Sequence, residues 1–129
     1  MARQFTLGKK ERLKSRKSIE QLFNEGKKIN LVPYRIFYTL SPLADERVLL
    51  FGVGVSAKNF KRAVDRNRIK RLIREAYRLQ KLSLLDKLKD GNLQLNVFFI
   101  YTGKELPEYK DVYQKIGMVL NKMEKIVSG

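Results

Sequence analysis

The sequence predicts an α+β domain in which helices pack on one mixed β-sheet of about four strands, in the order αβββαβα. Two patterns lead to this fold class. Residues 34–40 and 93–101 alternate with the period of a β-strand, and residues 48–55 form another extended apolar run. Residues 66–78 and 109–127 repeat apolar side chains at the spacing of an α-helix.

The first part of the chain is expected to hold a basic arm, a short helix and a strand. Residues 1–14 have no periodicity and are predicted to form a flexible basic arm of a single domain spanning residues 1–129. Residues 18–21 (S-I-E-Q) fit a capping box, and Gly26 is expected to end the helix. Pro33 is expected to open the strand that follows. The apolar positions of the helix are Ile19, Leu22 and Phe23.

The next segment contains a predicted turn and a second strand. Residues 41–46, which include Pro42 and Asp45, are predicted to form the turn. The run at residues 48–55 is apolar on both faces, so we expect an interior strand in an antiparallel hairpin with the preceding strand. Residues 52–57 also match the G-x-G-x-x-A pattern of dinucleotide-binding loops. Because these glycines lie within the strand alternation and not at a turn, the match does not predict a dinucleotide site.

The last third of the chain predicts a strand and a long helix. The leucines of residues 82–88 are expected to continue the central helix or to form another helical turn, until residues 90–92 (D-G-N) end it. The strand at residues 93–101 is expected to end at Thr102-Gly103. From Glu108 a long amphipathic helix closes the chain, and its apolar positions are expected to be core. They are Tyr109, Val112, Tyr113, Ile116, Val119, Leu120, Met123 and Val127.

Positive charge is concentrated in two segments of the sequence. The formal net charge is +15. Residues 1–17 carry seven Lys or Arg against one acid, a net +6, and residues 58–81 carry ten against two, a net +8. Charge confined to two segments predicts a cationic surface that faces one direction. The commonest partner of such a surface is a nucleic-acid backbone.

The residue types that are absent restrict the chemistry. Cysteine and histidine do not occur in the sequence, which excludes disulfides, zinc fingers and Cys-His or Ser-His dyads. Paired carboxylates, a phosphate-binding loop and a metal cluster are not visible either, so we assign no catalytic and no metal-ligating residue. No stretch approaches about 18 apolar residues and the N-terminus is polar, so we predict no membrane association and expect a cytoplasmic protein.

The segment at residues 66–78 is the most informative part of the sequence. On a helix, Ile69, Leu72, Ile73 and Ala76 fall within an arc of about 100°. The opposite side then carries cations, with acids only at its margins. A solvated helix face usually mixes both signs, so an anion-binding face is favoured and plain solvation is the alternative. The cations of that side are Arg66, Lys70, Arg71, Arg74 and Arg78.

A binding module therefore agrees with the sequence better than an enzyme acting alone. Such a module needs a basic helix, a basic arm and aromatic side chains for base stacking, such as Phe37 or Tyr38. A DNA-reading helix-turn-helix is a weaker alternative, because the basic helix follows a strand and lacks a preceding partner helix. A non-catalytic basic RNA-binding module of the ribosomal-protein type is the second alternative.

The stretch from Lys58 to Arg78, K-N-F-K-R-A-V-D-R-N-R-I-K-R-L-I-R-E-A-Y-R, resembles the bacterial ribonuclease P protein subunit. Its A-V-x-R-N-R-x-K-R-x-I-R-E core is long and specific, and the resemblance extends over nearly the whole chain. Two departures are visible: Phe60-Lys61 stands where many members have Gly, and Tyr101 to Lys104 stands where the family often has Ala-Arg. The upstream matches are Arg12-Leu13, Ile19, Phe23 and Gly26 in the first helix and Ile36-Phe37-Tyr38 in the first strand.

The resemblance implies a small, monomeric, cytoplasmic protein that joins one large catalytic RNA and helps it to remove the 5′ leader from precursor tRNA. Magnesium would be bound by the RNA, and the protein itself would bind no cofactor. The family also has a left-handed βαβ crossover around the central helix, whereas general rules predict a right-handed one.

By the same resemblance, two sets of residues would contact RNA. A cleft between the first helix and the sheet would hold the single-stranded leader and would be lined by Ile19, Phe23, Ile36 and Tyr38. Ile19 would offer apolar contact without a stacking plane, because many members carry an aromatic there. The RNA-binding residues would be Arg12, Lys58, Lys61, Arg62, Arg66, Asn67, Arg68, Lys70, Arg71, Arg74 and Arg78.

Overall fold

The structure is a computed structural model, and it describes residues 16–128 of the chain. These residues form four helices and a four-stranded mixed sheet, which confirms the predicted α+β class. Among them, no helix is long and apolar enough to cross a membrane. In chain order the elements are α1 (Arg16–Glu25), β1 (Lys27–Leu31), β2 (Tyr34–Pro42), β3 (Leu49–Val55), α2 (Ala63–Gln80), α3 (Leu82–Asp90), β4 (Leu93–Tyr101) and α4 (Tyr109–Ser128).

The strands lie in the order β1-β2-β4-β3. The pairs β1–β2 and β2–β4 are antiparallel, and β3–β4 is parallel. The two parallel strands are neighbours joined through α2 and α3, so they form a βαβ unit around the basic helix. The left-handed sense of this crossover stays a prediction.

The predicted hairpin between β2 and β3 is wrong. Strand β4 lies between them, and β3 is an edge strand that pairs only with β4 in the described sheet. The run is apolar on both faces because its side chains are buried in a cluster on each face of the sheet. On one face Phe51 stacks on Tyr77 of α2, with ring centroids 3.9 Å apart. On the other face Leu50 packs in a cluster with Leu22 of α1. Ser41 and Pro42 of the predicted turn lie in β2, and residues 43–48 form the connection to β3, in which Arg47 pairs with Asp45.

The predicted order αβββαβα contains three strands before the central helix, but no segment is assigned to the first of them, which is β1. It is five residues long, begins with two lysines and buries only Ile29. So little alternation in so short a segment gives a weak signal. Val32 and Pro33 connect β1 to β2, so Pro33 lies in the turn directly before the strand it was expected to open.

The first helix differs from its prediction at the start and agrees at the end. Ser18 lies within α1, so it is not the N-cap residue that the capping box required. Gly26 follows the last residue of the helix, and its N–H donates to the Leu22 carbonyl at 2.8 Å. The helix therefore ends where the sequence predicted.

Helices cover both faces of the sheet. One face packs against α2, α3 and α4 and forms the main core, in which Ile36, Phe99 and Ile116 are completely buried. The other face packs against α1 through a smaller cluster that contains Leu22, Phe37 and Phe98. We call the second side the α1 face.

Helix α4 confirms most of its predicted core but not its tyrosines. Val112, Ile116 and Met123 are buried, as are Val119 and Leu120. Tyr109 and Tyr113 retain 36% and 40% of their exposure, so their assignment to the core is wrong.

Lys81 separates α2 from α3, so the leucines after it form a helix of their own. The side chain of Lys81 is buried, and its Nζ lies 5.9 Å from the centroid of the Tyr77 ring. The break predicted at residues 90–92 is confirmed, and Asn92 has a φ of 53° there.

We expect Gly26→Ala to destabilise the fold by about 1 to 3 kcal/mol, because the added methyl group has no space. A Cβ at this position would lie 2.4 Å from the Leu22 carbonyl oxygen and 3.1 Å from that of Tyr38. Both are backbone atoms and cannot rotate away. Urea unfolding followed by circular dichroism measures the loss.

Gly91→Ala is the matched control. Its added Cβ would lie 3.3 Å from Leu93 Cδ1, the end of a flexible side chain. Equal urea midpoints for the two variants would contradict the steric argument at Gly26.

Candidate nucleic-acid interface

The rotation of α2 about its axis determines which of its side chains face solvent. Ile69, Ile73, Ala76 and Tyr77 are buried, and Leu72 packs at their margin. The helix contacts α4 and β3 through this side. The apolar arc predicted from the sequence is confirmed, so the remaining positions point away from the core.

Three arginines follow one line along the outward side of α2. Arg71, Arg74 and Arg78 recur at i, i+3 and i+7 and extend over about 10 Å of the helix axis. We call them the arginine stripe. Asn67 lies one turn before Arg71 and is exposed, as are Arg71 and Arg74, while Arg78 is half-buried. Arg68 is also exposed, and Lys70 lies at the half-buried flank.

Further cations lie in the loop that leads into α2. Lys58, Lys61 and Arg62 are all exposed. Arg62 occupies the N-cap position and makes no side-chain cap hydrogen bond. The N-terminal end of a helix carries partial positive charge from its backbone N–H groups, so these cations and the helix end favour the same anion.

Hydrogen bonds to the end of β4 hold this loop in place. Asn59 Nδ2 donates to the carbonyls of Thr102 and Gly103 at 3.2 and 3.3 Å. The backbone N–H groups of Asn59 and Phe60 both donate to the Ser56 carbonyl. The Phe60 side chain is buried near Tyr101, with ring centroids 6.1 Å apart. The two segments that depart from the family pattern, at Phe60 and at residues 101–104, therefore contact each other.

Arg66 does not lie on the outward side as predicted. Its Nη1 donates to the carbonyls of Phe60 and Lys61 at 2.7 and 2.8 Å. The helical position of Arg66 is near the buried arc, and the loop before α2 folds back over it. Its guanidinium therefore supports the loop that carries the other cations.

Two more cations are partly or wholly removed from the surface charge. Arg78 pairs with Glu75, and the two side chains keep 29% and 43% of their exposure. Lys81 is buried. Within residues 16–128, Arg68 and Arg71 form no ion pair. The outward charge is therefore strongest over the first half of α2 and the loop before it.

The four residues predicted to line a cleft with α1 do not share one face of the sheet. Ile19 and Phe23 pack on the α1 face with Phe37. Ile36 and Tyr38 belong to the main core, on the side of α2 and α4, with exposures of 0% and 7%. Since successive strand residues point to opposite faces, Phe37 and not its neighbours can face α1. The placement of Ile36 and Tyr38 in this cleft is wrong.

Aromatic side chains do gather on the α1 face. The Phe23 ring lies 4.9 Å from that of Phe37 and 5.3 Å from that of Phe98, measured between centroids. Phe37 and Phe98 are directly opposite each other in the β2–β4 register. Lys28 Nζ lies 5.5 Å from the Phe37 ring centroid. We call Phe23, Phe37 and Phe98 the aromatic cluster. The sequence of β2 alone could not reveal it, because the cluster depends on the pairing of Phe37 with Phe98 of β4.

A depression of about 420 Å³ lies at the end of the sheet, near Tyr34 and Tyr101, and its wall includes Glu105 and Asp111. Burial raises the pKa of Tyr34 above its usual value, and Tyr101 and Asp111 raise it further. Burial and Glu105 raise the pKa of Tyr101. Both phenols therefore stay protonated near neutral pH. Across the described chain, no group of three or more His, Cys, Asp or Glu side chains has an arrangement that could hold a metal ion.

Arg12 and the predicted arm at residues 1–14 lie outside the described residues. The other predicted cations are placed on α2 and the loop before it, with the exceptions given above. This fold and this surface define a small basic α+β protein with one cationic helix.

Comparisons with known proteins identify the family. A sequence model of the family described as Ribonuclease P matches residues 7–124. The "Ribonuclease P protein component" of Porphyromonas gingivalis is 42% identical over 110 residues, which cover 84% of this chain and 79% of that protein. The protein of the same name from Chlorobium phaeobacteroides is 34% identical over 128 residues, which cover 90% and 86%. This chain belongs to the ribonuclease P family, as a protein component of that enzyme.

A solved structure agrees with this fold. The ribonuclease P protein of Staphylococcus aureus superimposes with a TM-score of 0.64 at 19% identity, covering 87% of this chain and 94% of that chain. The similarity confirms the order of helices and strands.

We expect Arg66→Ala to lower stability and Arg71→Ala to leave it nearly unchanged. Arg66 donates two hydrogen bonds to loop carbonyls, and loss of hydrogen bonds from a charged donor costs about 1 to 3 kcal/mol. Arg71 is exposed. Thermal unfolding of both variants measures the difference, and similar melting temperatures would show that Arg66 does not support the loop.

Proposed function

We propose that the protein binds the large catalytic RNA of ribonuclease P through α2 and the loop before it, and so assists removal of the 5′ leader from precursor tRNA. Family membership over residues 7–124 supports the assignment to this enzyme. The observation that carries the RNA-binding role is the outward cationic surface between Lys58 and Arg78. Catalysis belongs to the RNA and to the magnesium bound by it, and the protein itself takes no cofactor.

Electrostatics explains how such a surface assists a catalytic RNA. Folding an RNA brings phosphates together, and magnesium must otherwise screen their repulsion. Exposed arginines such as Arg68 and Arg71 supply part of the positive charge that screens these phosphates. Because they are already held in place on a helix, no entropy is lost by localising a free hydrated ion. The protein therefore lowers the magnesium concentration at which the RNA cuts. Its expected location is the cytoplasm, as one monomer per catalytic RNA.

The α1 face is proposed to contact the leader of precursor tRNA. Phe23 is half-buried, and Ile19 lies beside it. The adjacent Lys28 provides a cation for a phosphate at the margin of the aromatic cluster. A single-stranded leader offers bases that stack on such rings, whereas mature tRNA has no leader to place there.

Reconstitution tests the proposed RNA-binding role. We expect the protein alone to leave precursor tRNA intact in magnesium, and the protein with the RNA to cut at lower magnesium than the RNA alone. Arg68→Ala/Arg71→Ala should move the magnesium midpoint upward. For binding of this double variant to the catalytic RNA, the slope of log K against log salt concentration should become less negative. The change should be about 0.7 to 0.9 for each phosphate that the variant no longer neutralises.

Lys89→Ala/Lys122→Ala removes the same number of charges from exposed positions on α3 and α4 and is the control. Equal magnesium midpoints for the two double variants would reject α2 as the RNA-binding surface. Site-specific cleavage by repurified, RNA-free protein would reject catalysis by the RNA.

The leader contact is tested by Phe23→Leu, which keeps apolar volume and removes the ring. We expect holoenzyme affinity for precursor tRNA to fall by about 1 to 3 kcal/mol, with affinity for mature tRNA unchanged. Binding is measured for both tRNAs beside a thermal melt of the free protein.

Tyr38→Ala is the comparison, because Tyr38 lies in the main core. It should lower the melting temperature and weaken binding of both tRNAs together. If Tyr38→Ala lost affinity only for precursor tRNA and Phe23→Leu lost none, the leader would have to bind on the other face of the sheet.

A further inference from the structure

Two tyrosines at the start of α4 form an exposed aromatic pair. Tyr109 and Tyr113 are one helical turn apart, and their ring centroids lie 6.0 Å from each other with an interplanar angle of 54°. They keep 36% and 40% of their exposure. Both rings therefore leave aromatic surface open to solvent.

The backbone that carries the pair is joined to the end of α2. Gln80 Nε2 donates to the Tyr113 carbonyl at 2.9 Å and to the Ala76 carbonyl at 3.1 Å, so one side chain joins the two helices. The helices approach closely here, because a Cβ on Gly117 would lie 2.5 Å from Gln80 Oε1. The segment of α4 that carries the tyrosines is therefore packed closely against α2.

That position is the C-terminal end of the arginine stripe. Tyr109 lies near Glu75 and Arg78, which form an ion pair with each other. Burial, the Glu75 carboxylate and Tyr113 raise the pKa of Tyr109, while Arg78 lowers it. The tyrosine pair therefore lies next to the last arginine of the stripe.

We propose that Tyr109 and Tyr113 form a stacking site for the base of an unpaired nucleotide in RNA bound along the arginine stripe. The inference rests on the proposed function. Open aromatic rings beside a cationic groove are the combination that binds single-stranded nucleic acid. Since Arg78 is paired with Glu75, the phosphate contacts would fall to exposed cations farther along the stripe, such as Arg71. The net positive charge of the adjoining α2 surface favours a polyanion with flat bases over an apolar protein surface at this site.

Binding to two simple RNAs tests the site. We compare the full-length protein with Tyr109→Ala/Tyr113→Ala and Tyr109→Phe/Tyr113→Phe, using a short oligoadenylate and a duplex RNA of equal length. The alanine variant should lose about fivefold or more in affinity for oligoadenylate. It should keep its affinity for the duplex, and the phenylalanine variant should bind both as the unchanged protein does.

A tryptophan placed in the site gives a direct readout, since the sequence contains no tryptophan. Oligoadenylate should quench the fluorescence of Tyr109→Trp, because a stacked base contacts the indole. Val32→Trp is the control, at a position that is 81% exposed in the turn between β1 and β2. It should show no quenching.

Three results would overturn the stacking site: equal loss toward both RNAs, no loss toward oligoadenylate, or equal quenching of the two tryptophans. The reconstitution assay separates this outcome from failure of the proposed function. Normal stimulation of the catalytic RNA with no tyrosine-dependent oligoadenylate binding rejects only the stacking site. Tyrosine-dependent binding by a protein that does not stimulate the RNA rejects only the proposed function.

Discussion

The stack of Phe51 on Tyr77 is the contact on which the direction of the cationic surface depends. The rings lie 3.9 Å apart at an interplanar angle of 8°, and Tyr77 is completely buried. A bulky side chain fixed in this way sets the rotation of α2 about its axis. Rotation by one residue, about 100°, would bring cations into the core and expose isoleucines. The direction of the arginines is therefore a consequence of core packing and not of the arginines themselves.

Local periodicity in the sequence predicted the elements that depend on near neighbours. The buried arc of α2 followed from Ile69, Ile73 and Ala76, because residues three and four apart on a helix share a face whatever the rest of the chain does. Strand pairing depends on distant residues. Nothing in residues 48–55 specifies that β4, about forty residues later, will lie between β2 and β3.

In the candidate site, too, the sequence predicted the features that depend on near neighbours and missed those that depend on distant residues. Alternation in β2 was visible, but both of its faces are apolar at Ile36, Phe37 and Tyr38, so the pattern does not determine which face meets α1. The position of Arg66 depends on a loop whose shape comes from contacts with residues 102 and 103. Charge counting placed Lys81 with the surface cations, whereas the junction of α2 and α3 buries it over the Tyr77 ring.

The edge position of β1 has a consequence for the behaviour of the protein in solution. A sheet edge offers unpaired backbone groups to any other strand, and charged side chains are a common defence against such pairing. Lys27 and Lys28 are both exposed at the beginning of β1. Two molecules that tried to join their sheets through this strand would have to bring four lysines together, at a cost that ionic strength reduces. The exposed lysines at this edge therefore disfavour pairing between the sheets of two molecules, most strongly at low ionic strength.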